Sequence, residues 1–149
     1  HDYMSEIKKV SEHTRKSLIS DEPKKPSDIR IFFADTYALI ELLRGNPGYR
    51  PYLNCVLITS KFNLVELYYH LLCDKGKTIA DEELKIYSKL EIPITYNAIK
   101  NGMEFKLKHK KEKISYVDCI GYALSLELGV KFLTGDQKFE DKDNVEFVK

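Results

Sequence analysis

Four acidic residues have the types and positions that could do chemistry together: Asp35, Glu66, Asp118 and Asp136. Carboxylates that are brought close repel one another and raise one another's pKa, unless a hard cation such as Mg²⁺ or Mn²⁺ lies between them. A pocket that contains several carboxylates therefore predicts a site for divalent metal before it predicts anything else.

Two of these acids stand at the ends of predicted strands. Asp35 directly follows the apolar run Ile31–Ala34, and Asp136 comes shortly after the run at residues 130–134. An unbroken apolar run suits a strand that is covered on both faces, as in a parallel sheet. Because sites in open parallel sheets form beyond the carboxyl ends of the strands, both acids are expected at one crevice. Asp118, in the first turn of a predicted helix, could join them.

Each acid also has a structural alternative. Asp35 could simply be the N-cap of the next helix, and Asp118 could complete a capping box with Ser115. Asp136 could serve only to shape a turn. Glu66 is harder to explain in this way, because it lies in an apolar helical segment with few other charges, and a buried carboxylate without a partner is costly.

Helical and strand patterns alternate along the chain. Helices are predicted at residues 36–43, 61–73, 81–90, 96–110 and 117–128, and further strands at residues 55–59, 92–94 and 145–148. Ser60 is the expected N-cap of the second helix, and Gly129 the expected end of the last. This order predicts an α/β fold, a three-layer α/β/α sandwich around a parallel sheet with right-handed crossovers.

The length of 149 residues suits one domain with a sizeable core. Residues 1–30 are rich in Lys, Glu and Ser and read as an N-terminal appendage, so the domain is expected at residues 31–149. Residues 1–3 before Met4 resemble the remnant of an expression tag. Residues 5–20 could form a weak amphipathic helix, and we expect residues 1–26 to add little to the core. No apolar run is long enough to span a membrane and no secretory signal is evident, which favours a cytoplasmic location.

The formal net charge of +1 does not by itself indicate a polyanionic partner. One local run, residues 106–113, is strongly basic and contains Lys106, Lys108, Lys110, Lys111 and Lys113. These lysines could be a solvated helix end that complements the helix dipole. However, the run leads directly into Ser115 and Asp118, and an acidic pocket alone would repel a polyanion. This proximity favours a role in steering phosphates.

The remaining reactive side chains suggest no second site. Cys55, Cys73 and Cys119 lie in apolar stretches without the close pairs of a zinc site, which predicts reduced, buried thiols. The histidines are better placed for capping or surface roles than for catalysis. Three tyrosines could flank the crevice, with core packing as the first interpretation and base stacking as the second: Tyr37, Tyr116 and Tyr122.

Four segments together resemble the PIN domain family, particularly the VapC-type toxins of prokaryotes: FFADTYALIELL, LVELYYHLL, SYVDCIGYALSLELG and FLTGDQKF. The resemblance runs in order from Ile31 to Lys149. It implies a metal-dependent endoribonuclease that hydrolyses RNA phosphodiester bonds with Mg²⁺ or Mn²⁺, and it places the metal ligands at the four acids. It assigns accessory hydroxyl positions to Thr36 or Thr134 and a capping role to Ser115. A homodimer and an antitoxin partner are further implications.

One departure and two rival functions accompany this resemblance. The family often has Thr-Asn-Asp or Thr-Thr-Asp where this sequence has Thr134, Gly135 and Asp136. A non-catalytic or housekeeping PIN-like module in RNA processing is the first rival, although retention of all four acids opposes it. A phosphatase of another α/β fold is the second, but it needs a second acid two residues after Asp35, and the chain offers none there.

Overall fold

The computed structural model of this protein describes residues 29–149. Its strands, all parallel, are β1 (Ile31–Ala34), β2 (Val56–Ile58), β3 (Lys131–Thr134) and β4 (Val145–Phe147). Its α-helices are α1 (Thr36–Arg44), α2 (Lys61–Lys75), α3 (Lys77–Tyr87), α4 (Tyr96–Lys108) and α5 (Tyr116–Leu128). Short 3-10 helices occupy Pro47–Asn54, Ser88–Leu90, Lys110–Glu112 and Gln137–Phe139. The expectations for residues 1–28 lie outside the described residues.

The sheet is covered on both faces. Phe33 pairs with Phe132 across β1 and β3, and both rings lie beneath α5, where a Cβ on Gly121 would meet the Phe33 ring at 2.9 Å. Phe32 points to the opposite face, since neighbouring residues of a strand alternate, and its ring packs 5.3 Å from that of Tyr52. The three-layer α/β/α sandwich with a parallel sheet is therefore confirmed.

The strand order creates the crevice. The sheet runs β2-β1-β3-β4, so the chain leaves β1 toward one side and leaves β3 toward the other. Connections that diverge from two neighbouring parallel strands open a gap beyond their carboxyl ends. Asp35 and Asp136 follow these two strands, and the backbone N–H of Asp35 donates to the Leu133 carbonyl at 3.2 Å. Asp35 and Asp136 therefore lie at the switch point of the sheet.

Local signals placed most element ends correctly. The Ser60 side chain caps α2, and Gly129 ends α5 in the left-handed conformation at φ 68°. Helix α3 begins at Lys77 and not at residue 81, because Gly76, at φ 85°, turns the chain from α2 directly into α3. The two helices pack side by side.

The predicted strand at residues 92–94 is wrong. This segment makes one bridge to the sheet, between Thr59 and Glu91, with the N–H of Ile92 donating to the Thr59 carbonyl at 2.9 Å. Pro93 has no N–H with which to continue a ladder. The apolar residues at 92 and 94 anchor a connection and do not extend the sheet.

The 3-10 helix Pro47–Asn54 adds to the core, since its Tyr49 is fully buried and the Tyr49 hydroxyl donates to the Val148 carbonyl. One further sequence-based expectation needs correction. Cys55 and Cys119 are buried as expected, but Cys73 is exposed because it lies on the outer side of α2. No helix within residues 29–149 is long and apolar enough to cross a membrane.

Candidate active site at the carboxyl edge of the sheet

Asp35 is the most deeply buried of the four acids, with 1% of its surface exposed. One carboxylate oxygen caps α1 by accepting the N–H of Ala38 at 2.9 Å, and the other accepts the Thr134 hydroxyl. The pKa of this carboxyl is raised to about 8, chiefly by burial and also by the charges of Asp118 and Asp136, although the two hydrogen bonds act to lower it. Asp35 is therefore a buried acid whose ionisation is opposed both by burial and by the neighbouring acids.

Glu66 reaches the same edge through a chain of hydroxyl and amide groups. The Thr36 hydroxyl donates to a Glu66 carboxylate oxygen at 2.5 Å and accepts from the Asn63 side-chain amide at 3.2 Å. The Ser60 hydroxyl donates to the Asn63 amide oxygen at 2.6 Å. Because Asn63 and Ser60 are fully buried, this chain fixes the start of α2 against the start of α1.

Asp118 completes the acidic group from the first turn of α5. Its backbone N–H donates to the Ser115 hydroxyl at 3.1 Å, which confirms Ser115 as the cap of this helix. The pKa of the Asp118 carboxyl is raised to about 6, chiefly by burial and also by the charges of Asp136 and Glu66, while the hydrogen bond with Ser115 and the charge of Lys138 act to lower it. Asp118 thus interacts electrostatically with acids that come from β3 and α2.

Thr134 links the two strand ends. Its hydroxyl donates to the buried carboxylate of Asp35 and accepts the backbone N–H of Asp136 at 3.0 Å. The Asp136 carboxylate in turn accepts the N–H of Lys138 at 3.0 Å and caps the 3-10 helix that follows. Each of the structural alternatives for Asp35 and Asp136 is thus observed, since both side chains form caps, and both also contribute charge to the crevice.

Gly135 has no space for a side chain. A Cβ at this position would stand 2.2 Å from the Tyr37 ring and 2.4 Å from the Val148 carbonyl oxygen. Where the family often carries a polar side chain between the Thr and the Asp, the Tyr37 ring therefore fills that volume here. The absence of a side chain at Gly135 and the half-buried position of Tyr37 thus go together, because the ring occupies the space that a side chain would need.

The loop that leads into α5 is held by lysines on both sides. Lys106 donates from its ammonium to the Ile114 carbonyl, and Lys138 donates to the Lys113 carbonyl at 3.0 Å. Two consecutive backbone groups are thus anchored, just ahead of Ser115 and Asp118. The loop is therefore a fixed rim of the acidic crevice.

A third anchor lies at the start of this loop. Glu112 accepts from Lys142 at 2.7 Å and pairs with the His109 ring at 2.6 Å, and that ring packs 4.5 Å from Phe105.

The rest of the predicted basic run is exposed: Lys108, Lys110, Lys111 and Lys113. Lys106, which is partly buried, already binds a backbone carbonyl within the protein.

The three tyrosines singled out from the sequence have different environments. Tyr122 is buried against Phe132 and Phe139, and its hydroxyl donates to the Asp143 carbonyl at 2.6 Å, so its role is in the core. Tyr37 packs against Gly135. Tyr116 is 65% exposed at the start of α5.

The donor set has the chemistry of a site for a hard divalent cation, since it offers carboxylate oxygens that repel one another. Burial and mutual charge both oppose ionisation of Asp35 and Asp118, and a bound cation would relieve both effects. No group of three or more His, Cys, Asp or Glu side chains among residues 29–149 is already gathered around one position. Asp35 instead turns toward Ala38 and Thr134, and Glu66 turns toward Thr36.

Sequence reasoning missed Asn63, Thr59 and Lys138. Thr59 is fully buried, and its hydroxyl donates to the Ala34 carbonyl at 2.8 Å, which ties the ends of β2 and β1 together beside the site. The signal for Asn63 was available, because an amide three residues after the capping Ser60 on an apolar helix face must find buried partners. Lys138 carried no such signal, since its position depends on the turn after β3.

Comparison with known proteins identifies the class. The sequence model of the PIN domain family matches residues 32–145, and the chain therefore belongs to this family. No curated protein matches the chain in sequence. The acids at the strand ends and on helices α2 and α5 thus lie in a PIN domain.

Solved structures with the same fold include toxins and toxin complexes. Mycobacterium tuberculosis VapC20, described as a Sarcin-Ricin loop cleaving toxin, matches with a TM-score of 0.63 at 21% identity, over 79% of this chain and 99% of that chain. VapBC2 from Rickettsia felis, bound to a DNA fragment from their promoter, matches with a TM-score of 0.62 at 20% identity, over 78% of this chain and 96% of that chain. A toxin-antitoxin complex from Klebsiella pneumoniae matches with a TM-score of 0.60 at 16% identity, over 78% and 95% of the two chains.

Proposed function

We propose that this protein is a metal-dependent endoribonuclease that hydrolyses RNA phosphodiester bonds, and that Asp35, Glu66, Asp118 and Asp136 hold Mg²⁺ or Mn²⁺. The observation that carries the proposal is the electrostatic coupling of the acids at the switch point, where the charges of Asp118 and Asp136 raise the pKa of a fully buried Asp35. A protein that merely needed a helix cap at residue 35 would not require further carboxylates beside it.

The surrounding residues hold the acids in place. The Ala38 N–H and the Thr134 hydroxyl orient the Asp35 carboxylate, and the Thr36 hydroxyl orients Glu66. Ser115 fixes the first turn of α5 and with it Asp118. A divalent cation held here would lower the pKa of a water molecule and neutralise charge on the phosphate and on the leaving oxygen.

The exposed lysines at residues 108–113 would supply the attraction for RNA that the acids lack. Their loop is anchored beside Asp118, so phosphates bound by these lysines would lie near the acidic crevice. Charge neutralisation by lysines makes binding dependent on salt concentration. This role concerns affinity for RNA and not affinity for the cation.

The decisive experiment compares wild type with Asp118→Asn in cleavage of single-stranded and structured RNA with Mg²⁺ or Mn²⁺. Asparagine keeps the size of the side chain but removes the charge, so folding should survive and the cleavage rate should fall about 100-fold or more, because metal-assisted charge stabilisation supplies several kcal/mol of barrier lowering. Asp74→Asn is the matched control, because Asp74 is an acid in the last turn of α2, at the end of that helix remote from the site. If Asp118→Asn and wild type cleave RNA at equal rates, Asp118 has only a structural role at the start of α5.

We further propose a protein antitoxin as a partner and a cytoplasmic site of action. The structures with this fold include toxin-antitoxin complexes from Klebsiella pneumoniae and Rickettsia felis, which supports the proposal by analogy of fold. The test is the gene beside the one that encodes this chain. A small reading frame whose product suppresses toxicity on co-expression and copurifies with this protein would establish the pair, whereas a chain that is harmless when expressed alone would oppose it.

A homodimer is proposed on a separate observation. Four apolar side chains repeat along the outside of α2 at spacings of three, four and three residues, and all are exposed: Phe62 (43%), Val65 (61%), Tyr69 (70%) and Leu72 (38%). This spacing forms one stripe on a helix, and a contiguous exposed apolar stripe marks a protein interface. The stripe lies on the side of α2 opposite to its buried Leu64, Leu67 and Leu71.

The second candidate function is a non-catalytic RNA-binding module of the same fold. The hydrogen-bonded state of the acids favours it in one respect, since Asp35 and Asp136 both have structural partners. The two candidates differ in the Asp118→Asn experiment. A binding module would hold RNA without cutting it, in the presence of either cation, and the substitution would leave its behaviour unchanged.

A further inference from the structure

Tyr116 is an exposed aromatic side chain with a lysine ammonium over its ring. It is the first residue of α5, directly after the capping Ser115, and 65% of its surface is exposed. The Lys106 ammonium lies 4.7 Å from the centre of its ring, and the same ammonium donates to the Ile114 carbonyl. Because the Ile114 carbonyl holds the Lys106 ammonium, the ammonium restrains the Tyr116 ring that lies beneath it.

A ring that is exposed yet fixed costs little further entropy when it binds a ligand. Lys106 also makes Tyr116 differ from the other strongly exposed tyrosines. Tyr69 and Tyr96 are 70% and 82% exposed, and in the described part of the chain neither has a cation over its ring. A tyrosine that served only to shield the helix start would be packed and not open to solvent.

The surroundings indicate the chemistry of the ligand. The exposed Lys108, Lys110, Lys111 and Lys113 belong to the segment between Lys106 and Tyr116, and the carboxylate of Asp118 leaves the same first turn of α5. Lysines that bind a polyanionic backbone beside an open aromatic ring form the combination that binds single-stranded nucleic acid, because every base offers a face for stacking.

We propose that Tyr116 stacks on a nucleobase of the RNA bound at the acidic site, and that Lys106 positions the ring. This inference rests on the proposed ribonuclease function and adds to it a residue that recognises a base, where the lysines recognise phosphates. Stacking of this kind tolerates all four bases but requires that the base be unpaired. The protein should therefore prefer a substrate with an unpaired base close to the cleaved bond.

The test measures RNA binding in EDTA, with the RNA shown to be intact afterwards, by fluorescence of single-stranded RNA that carries 2-aminopurine. Stacking on Tyr116 should quench the probe. Tyr116→Phe keeps the ring and should behave like wild type, whereas Tyr116→Leu keeps the bulk but not the ring and should bind about tenfold more weakly without quenching. Tyr96→Leu, which alters a still more exposed tyrosine at the start of α4, should change neither quantity.

An abasic RNA separates stacking from any structural role. Wild type and Tyr116→Leu should bind RNA that lacks the base at the probe position with equal affinity, and the two proteins should share one salt dependence, since no phosphate contact is lost. If Tyr116→Leu binds the base-containing RNA as tightly as wild type, the stacking role is wrong while the ribonuclease proposal stands. If wild type neither binds nor cuts RNA, both proposals fall.

Discussion

At the scale of single residues, Asp35 carries a carboxyl group whose ionisation the folded chain opposes. It is buried beneath the start of α1, and its pKa is raised from 3.8 to about 8 mainly by that burial. Its two hydrogen bonds, from the Ala38 N–H and the Thr134 hydroxyl, lower the pKa but do not offset the loss of water. Asp35 thus caps α1, but at neutral pH its carboxyl group lowers the free energy of unfolding, because the unfolded chain ionises it more readily than the folded chain does.

The stability of the metal-free protein should therefore depend on pH through Asp35. The folded state binds more protons than the unfolded chain between about pH 4 and pH 8, so this group's contribution to the free energy of unfolding falls as pH rises through that range. In EDTA, Asp35→Asn should be more stable than wild type at pH 8, by on the order of a few kcal/mol, and no more stable at pH 4.

Urea unfolding of both proteins at several pH values measures this difference. The comparison isolates Asp35, because Asp118, whose pKa is raised to about 6, is present in both. A constant difference between the two proteins from pH 4 to pH 8 would show that Asp35 keeps an ordinary pKa. Added Mg²⁺ should stabilise wild type more than Asp35→Asn if the cation binds at this residue.

At the scale of elements, the segments after β3 and before α5 set the shape of the crevice. Gly135 follows β3 and packs against the Tyr37 ring, so α1 and the end of the sheet fit together without a gap. The loop before α5 is anchored through two backbone carbonyls by Lys106 and Lys138. Both arrangements are contacts between elements and not properties of one element.

Gly135→Ala should destabilise the protein by about 1–3 kcal/mol, because the new methyl group would stand 2.2 Å from Tyr37 and 2.4 Å from the Val148 carbonyl oxygen. Thermal or urea unfolding measures the effect. Gly48→Ala is the matched control, because its Cβ would make contacts no closer than 3.4 Å. Tyr37→Ala combined with Gly135→Ala should recover part of the loss, and an unchanged loss would show that the clash with Val148 alone governs the site.

The loop before α5 gives a prediction about charge. Neutralising Lys108, Lys110 and Lys111 to Ala should weaken RNA binding and flatten its dependence on salt concentration, with the slope reduced by about two if three phosphate contacts are lost. Cation affinity, measured by metal-dependent stabilisation, should stay nearly unchanged.

The control triple is Lys85, Lys89 and Lys131, which are equally exposed but lie away from the loop. Net charge changes by the same amount in both triples, so a general electrostatic effect would weaken both alike. Only a local phosphate site predicts that the loop triple loses more affinity than the control.

At the scale of the whole molecule, the order β2-β1-β3-β4 places Asp35 and Asp136 beyond two neighbouring strands, and the outer side of α2 is left exposed. The acidic crevice depends on the placement of the acids beyond neighbouring strands, and a dimer would depend on the exposed side of α2. Glu66 lies on the same helix as the stripe, between Val65 and Tyr69, so an interface on α2 would also steady the helix that carries this acid.

Tyr69→Glu should convert the proposed homodimer into a monomer, because a charge would be buried without a partner at the centre of the stripe. Light scattering after size-exclusion chromatography measures the mass. Leu126→Glu on α5, which is 51% exposed in wild type, should leave the mass unchanged. A wild-type protein that is monomeric at high micromolar concentration would exclude the α2 interface.

The sequence by itself determined the features that depend on a few neighbouring residues. Apolar runs defined β1 and β3, and Ser60, Ser115 and Gly129 marked the ends of helices as expected. The four acids could be named because each has a fixed place relative to its own element. Hydrophobic period and capping chemistry act over three or four residues, so they are legible without the fold.

Only the tertiary structure decided which of these residues lie close together in space. The Thr36 and Glu66 side chains are 30 residues apart in sequence and Asp35 and Thr134 are 99 apart, yet both pairs are hydrogen-bonded. The segment at residues 92–94 likewise forms no strand, because its contact with the sheet ends at the bridge between Glu91 and Thr59 and Pro93 has no N–H to extend it. The raised pKa of Asp35 depends on burial beneath other elements and on charges from α5 and β3, and such effects exist only when packing brings distant residues into a shared region of low dielectric.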